Sequence, residues 1–165
     1  MKNIYILVVF FLLVSASVSA QNDLKVADLK GKWTMVAFDM GGIYYDWIND
    51  SIRLPEHMSS QVEAKDLAET KKKIKSNLTP YTKGELEITD NRYIQTLLGD
   101  TRAGDYTLIK KDGFQQLRVV NDVDDLMEEE LIDFFIIMMI KDILVLKYID
   151  EAEESEALLY FKKDQ

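Results

Sequence analysis

From residue 84 onward, apolar and polar positions alternate with a period of two. ELEIT (85–89) places Leu86 and Ile88 on one face, and RYIQTLL (92–98) follows the turn pair Asp90-Asn91. DYTLI (105–109) comes after Gly99-Asp100, and Lys111-Asp112-Gly113 carries an Asp-Gly hairpin signal before FQQLRVV (114–120). An apolar block (132–140), ILVLKYI (143–149) and ALLYFKK (157–163) complete the series, separated by Lys141-Asp142 and by the acidic turn at 150–154. Strands repeating every eight to twelve residues or so between short turns predict an antiparallel meander. Parallel pairing needs long crossovers, and this half of the chain has no helical stretches to supply them.

The earlier half is less regular. KWTMVAFDM (32–40) reads as a first strand ending at Gly41-Gly42, and IYYDWI (43–48) is either a short strand or an ordered loop. Pro55 breaks the pattern, and a helical insertion is predicted over about 59–79. Ser60 and Glu63 have the spacing of a capping box at its start. Val62, Leu67, Ile74 and Leu78 give it a thin apolar stripe, Glu69 and Lys73 a favourable i,i+4 pair, and Pro80 its end. Such a stripe fits one helix, or two short ones, lying on a surface across an opening. The fold class expected is therefore all-β with a short helical insertion: an up-and-down meander of about eight strands, closed into a barrel. Closure removes both unpaired edges of a long open sheet, and eight strands enclose room for side chains or one small ligand.

The first twenty residues do not belong to this pattern. Lys2 precedes the apolar run 4–14, which is too short to span a bilayer, and small residues follow up to Ala20. Residues 1–20 are expected to be a cleaved signal peptide, leaving 21–165 as one domain in the periplasm or outside the cell. The chain has no cysteine, so neither a lipid-modified cysteine nor a disulfide is available. Its net charge of −9 becomes −10 once Lys2, the one charged residue of the leader, is removed. An acidic chain without a basic stripe is a poor match for nucleic acid, where phosphate neutralisation supplies most of the affinity. Anionic membranes would repel it for the same reason, and no stable membrane insertion is expected after cleavage.

The chain resembles a known family in the order of its features. Leu29-Lys30-Gly31-Lys32-Trp33 is similar to the Gly-x-Trp signature that opens the first lipocalin strand. A helical stretch follows after Leu54-Pro55-Glu56-His57-Met58, then the alternating strands. Gly104-Asp105-Tyr106 resembles the Gly-x-Tyr or Gly-x-Trp strand start of bacterial lipocalin-like domains, and the last strand ends in Lys162-Lys163. The likeness runs from about Leu24 to Lys163. It implies a barrel whose closed end Trp33 plugs, beneath a basic side chain of the last strand. That side chain is usually arginine; here Lys162 or Lys163 must serve, and lysine stacks less well on an aromatic face.

Catalytic chemistry has little to build on. His57 is the only histidine, and no Gly-x-Ser-x-Gly or phosphate-binding glycine loop occurs. The protein is expected to be non-enzymatic and to need no cofactor. Asp122, Asp124, Asp125 and Glu128 to Glu130 supply oxygen ligands, but the EF-hand pattern fails at Leu126 and Met127, so the run reads as a solvated loop with no metal. Asn49-Asp50-Ser51 and Asn77-Leu78-Thr79 have glycosylation spacing, which the bacterial resemblance makes incidental.

Two function classes follow. In the first, a small apolar or amphipathic molecule occupies the barrel. Met35 shares the parity of Trp33, and Tyr93, Tyr106, Tyr148 and Tyr160 lie on predicted strands and offer apolar bodies with polar tips. Those same side chains can instead fill the barrel completely. In the second, the outer surface acts as an interaction module: residues 134–140 are apolar on both faces, so either the early helix covers the outward row or a second copy or an exported partner does.

Overall fold

Asp112 and Gly113 both adopt positive φ, 53° and 82°, the left-handed pair that a two-residue hairpin requires. The same device, one residue of positive φ or two, recurs at Leu98-Gly99 and at Lys141. The computed structural model describes residues 23–61, 63, 65–122, 132–150 and 155–164. Residues 1–20, expected to be a signal peptide, Val62, Asp124, Asp125 and Glu128 to Glu130 lie outside the described residues.

Among the described residues ten strands run in chain order: β1 (Gly31–Met40), β2 (Ile43–Asp46), β3 (Ser51–Arg53), β4 (Glu85–Ile88), β5 (Arg92–Leu97), β6 (Asp100–Lys111), β7 (Phe114–Asn121), β8 (Ile132–Ile140), β9 (Ile143–Asp150) and β10 (Ser155–Lys163). From β4 to β10 each pairs antiparallel with the next, and β10 returns to pair with β1. The result is a closed eight-stranded antiparallel barrel of β1 and β4 to β10. Closure spans almost the whole chain, with Trp33 opposite Lys163 and Met35 opposite Phe161.

β1 divides its other edge. Its lower half, Gly31 to Thr34, pairs with β4, while Ala37 to Met40 pair with β2, whose hairpin with β3 folds back beside the barrel. Between Met35 and Ala37 the register with β10 slips. This β-bulge at Val36 reverses the parity of the strand. Trp33 and Met35 face inward below it, and Phe38 and Met40 face inward above it.

The gap above β4 is filled by the helical insertion, which consists of two helices, α1 (Glu56–Ser59) and α2 (Leu67–Leu78), followed by a 3-10 turn (Thr79–Lys83). The capping box expected at Ser60 does not start a helix. Ser60 ends α1, with its N–H bonded to the Glu56 carbonyl, and α2 begins seven residues later behind Asp66. The reason is length: α1 closes after one turn beyond Pro55, which leaves Ser60 at a C-terminus. Leu78 and Tyr81 pack inward, Tyr81 lying 5.1 Å from Phe38 between ring centroids. Lys75 of α2 holds Asp50 at 2.6 Å, so the helix leans on the β2–β3 hairpin. It leaves β8 uncovered: Phe134 is 44% exposed.

A short helical turn (Val26–Leu29) precedes β1 and crosses the barrel base, burying Leu29 completely. Gln115 accepts the Leu24 N–H and donates to its carbonyl, tying this segment to β7.

Candidate functional site

The lower part of the barrel is filled. Trp33 donates its indole N–H to the Leu29 carbonyl at 2.8 Å. Around it Leu86, Ile88, Leu117, Val119, Leu144 and Phe161 are all buried. The ammonium of Lys163 lies 5.2 Å from the Trp33 ring centroid, so of the two candidate lysines the second caps this end. Gly31, at φ 128°, makes room for it: a Cβ there would come within 2.9 Å of the Lys163 Cε.

At the opposite end the interior is hollow. A cavity of about 370 Å³ lies between the end of β1, the β5–β6 turn and the starts of β8 and β10. One wall is aromatic: Tyr93 stacks on Phe135 at 5.6 Å, and Phe135 meets Tyr148 at 5.9 Å. Met40, Leu97, Leu98 and Leu159 contribute apolar surface.

Polar side chains, Gln95, Asp100, Arg102 and Asp133, line the same space. Gln95 is 9% exposed and Tyr93 1%. Among the described residues neither the Tyr93 hydroxyl nor the Gln95 Nε2 has a hydrogen-bond partner, whereas buried polar groups are nearly always paired. Asp133, also 9% exposed, accepts a 2.8 Å bond from Asn121 Nδ2 and faces Arg102 Nη1 at 3.8 Å. Burial pushes the Tyr93 hydroxyl far above its ordinary pKa; the Asp133 charge adds to this and Arg102 opposes it.

The five ligand candidates read from sequence separate into three groups. Tyr93 and Tyr148 line the cavity. Met35 and Tyr106 face inward but belong to the filled region. Met35 packs against Gly84, and Tyr106 donates its hydroxyl to the Thr89 carbonyl at 2.8 Å. Tyr160 faces out of the barrel, edge-on to Tyr44 at 5.9 Å, in a shallow groove of about 260 Å³ on the outer wall. Apolar residues occupy both parities of ALLYF, and β10 turns Leu159 and Phe161 inward, which sends Tyr160 outward. Gly104-Asp105-Tyr106 likewise lies within β6 and does not open a strand, because pairing with β5 already begins at Asp100.

Gln95, Arg102 and Asp133 line the site without having been singled out by sequence reasoning, and Phe135, read there only as part of the apolar block 134–140, joins them. A usable signal exists: Gln95 shares the parity of Tyr93, and Asp133 that of Phe135, so each is a polar residue on an inward row.

Elsewhere, Asp122 pairs with Arg92, which also bonds Asp105 at 3.1 Å. The Arg92 hydrogen bonds hold the Asp122 carboxyl below its ordinary pKa. Among the described residues no cluster of three histidine, cysteine or acidic side chains is arranged to hold a metal. His57 is exposed on α1 and does not line the cavity. Among the described residues no helix is long and apolar enough to cross a membrane. Comparison of the chain with protein-family models, with curated proteins and with solved structures gives no match.

Proposed function

We propose that this protein is an exported, non-enzymatic barrel of the lipocalin-like kind that binds a small apolar or amphipathic molecule at the end remote from Trp33. The observation that carries this reading is the cavity of about 370 Å³, lined by apolar and aromatic side chains and by a few polar ones, Gln95, Asp100, Arg102 and Asp133. That volume lies within the range of small-molecule pockets, and an apolar lining with a few convergent polar groups is their usual composition. At ~30 Å³ per water it holds about a dozen water-sized groups, which limits the cargo to a short chain or a single ring system. The Trp33–Lys163 end cap and the order of elements support the family resemblance.

The test is non-denaturing mass spectrometry of the protein taken from its native compartment without detergent. A reproducible extra mass of small-molecule size, lost on activation, is expected. A bare mass, together with no thermal shift from any short-chain lipid analogue, argues against the reading.

An interaction role remains the second reading, favoured by the outer row in which Phe134, Ile140 and Ile149 are 44%, 54% and 45% exposed. Sedimentation across a wide concentration range decides it for self-association: a clean monomer excludes a second copy as the partner.

A further inference from the structure

Building on the binding reading, we propose that the cargo is a cationic amphiphile, with an ammonium or guanidinium head beside Asp133 and Asp100 and an apolar body along Phe135, Tyr148 and Leu159. Two observations point to it: the balance of charge around the cavity, and a carboxylate oxygen left there without a donor.

Three charged side chains line the cavity, Asp100, Arg102 and Asp133, so acidic groups outnumber basic ones two to one. Asp133 is 9% exposed. The Asn121 bond and the 3.8 Å approach of Arg102 both fall on its Oδ2. Oδ1 accepts no hydrogen bond among the described residues and, unlike the Tyr93 hydroxyl, is not sealed from solvent. Asp100, at the rim, is exposed and forms no ion pair among the described residues. Arg102 does not satisfy either group: its guanidinium is 65% exposed and lies beyond hydrogen-bond length even of Oδ2. A cationic head supplies the missing donor to Oδ1 in a charge-assisted bond and balances the charge of the lining. Because a carboxylate only accepts, the assignment holds in either orientation of the Gln95 amide. A carboxylate head would add a third negative charge to this space, where the one basic group is already turned to Asp133. A neutral hydroxyl can donate to Oδ1 but leaves the excess charge uncompensated. The net charge of the whole chain, −9, also draws cations and repels anions.

The experiment is calorimetric titration of the protein with decylamine, decanol and decanoate, which share a chain and differ in head. Decylamine, an ammonium at neutral pH, is expected to bind at least about tenfold more tightly than either other compound, the ratio that ~1.4 kcal/mol represents. Asp133→Asn is expected to weaken decylamine by about tenfold or more, as loss of a charged hydrogen bond does. Asp100→Asn should weaken it by about twofold to fivefold, as loss of an exposed pair does. Neither substitution should weaken decanol comparably. Arg102→Gln removes the competing cation and should tighten decylamine, a gain that damage to the fold does not produce. Decanol or decanoate binding as tightly as decylamine overturns the cationic head while leaving the cavity a binding site. The head assignment also falls if decylamine affinity is indifferent to Asp133→Asn, or to the exposed Asp100→Asn should the first variant fail to fold. Failure of all three compounds to bind the parent protein overturns the binding reading, and the head assignment with it.

Discussion

Trp33 and Lys163 are direct partners across the β1–β10 seam, with the lysine ammonium 5.2 Å from the indole centroid. They stand near the two ends of the chain, so the contact that closes the barrel also caps its filled end. Removing the indole by Trp33→Ala deletes a buried side chain and its bond to Leu29, and is expected to cost about 3–5 kcal/mol. Lys163→Met keeps the aliphatic cover and loses only the exposed cation–π term, about 0.5–1 kcal/mol. Urea denaturation of both variants checks the order. Equal losses would mean that the cap, and not the plug, holds the end together.

Gly104 is a second fixed point. A Cβ on this inward residue of β6 would lie 2.2 Å from the Val120 carbonyl oxygen, and backbone cannot step aside as a flexible side chain can. Gly104→Ala is expected to destabilise by at least about 1–3 kcal/mol, the usual range for overpacking. A melting temperature unchanged by the substitution would show that β6 and β7 separate there at little cost.

Leu98 holds φ at 57° in the two-residue turn at the cavity rim. A bulky residue in the left-handed region costs roughly 1–2 kcal/mol, and Asn-Gly is the preferred pair for such a turn. Leu98→Asn should therefore raise stability by about 1 kcal/mol. Because Leu98 also lines the cavity, the variant should retain less of any apolar cargo than the parent. Thermal unfolding and non-denaturing mass spectrometry read the two effects separately.

The Tyr93 hydroxyl makes stability sensitive to alkali. Its folded pKa is raised by burial, then by Asp133, above the unfolded value of about 10. Its contribution is therefore fully present below about pH 10. Above that the unfolded chain releases a proton that the folded one keeps, and stability falls by about 1.4 kcal/mol per pH unit for this one group. Tyr93→Phe should flatten the alkaline decline while leaving stability at neutral pH the same or higher. An unaltered slope would assign the decline to Tyr44, Tyr106 and Tyr160, whose pKa values are also raised, in each case first by burial.

Much of this molecule is local, and local features are legible in sequence. Alternation in 85–88 and 92–97 fixed which side chains share a face, and Asp112-Gly113 fixed a hairpin, because the strand period and the turn dihedrals depend on neighbouring residues alone. The period places Tyr93 on one face with Gln95 and Leu97, whereas the apolar run 143–149 gives no such guide for Tyr148. What needed the tertiary structure depends on residues far apart in the chain. The bulge at Val36 appears only against β10, and it brings Phe38 and Met40 to the interior. Tyr160 lies outside because both parities of its strand are apolar and the pairing with β1 and β9 chooses between them. The choice between a filled and a hollow barrel was likewise beyond any single strand. It rests on side-chain volumes summed around the closed sheet, which fill the end near Trp33 and leave space beside Tyr93, Gln95 and Asp133.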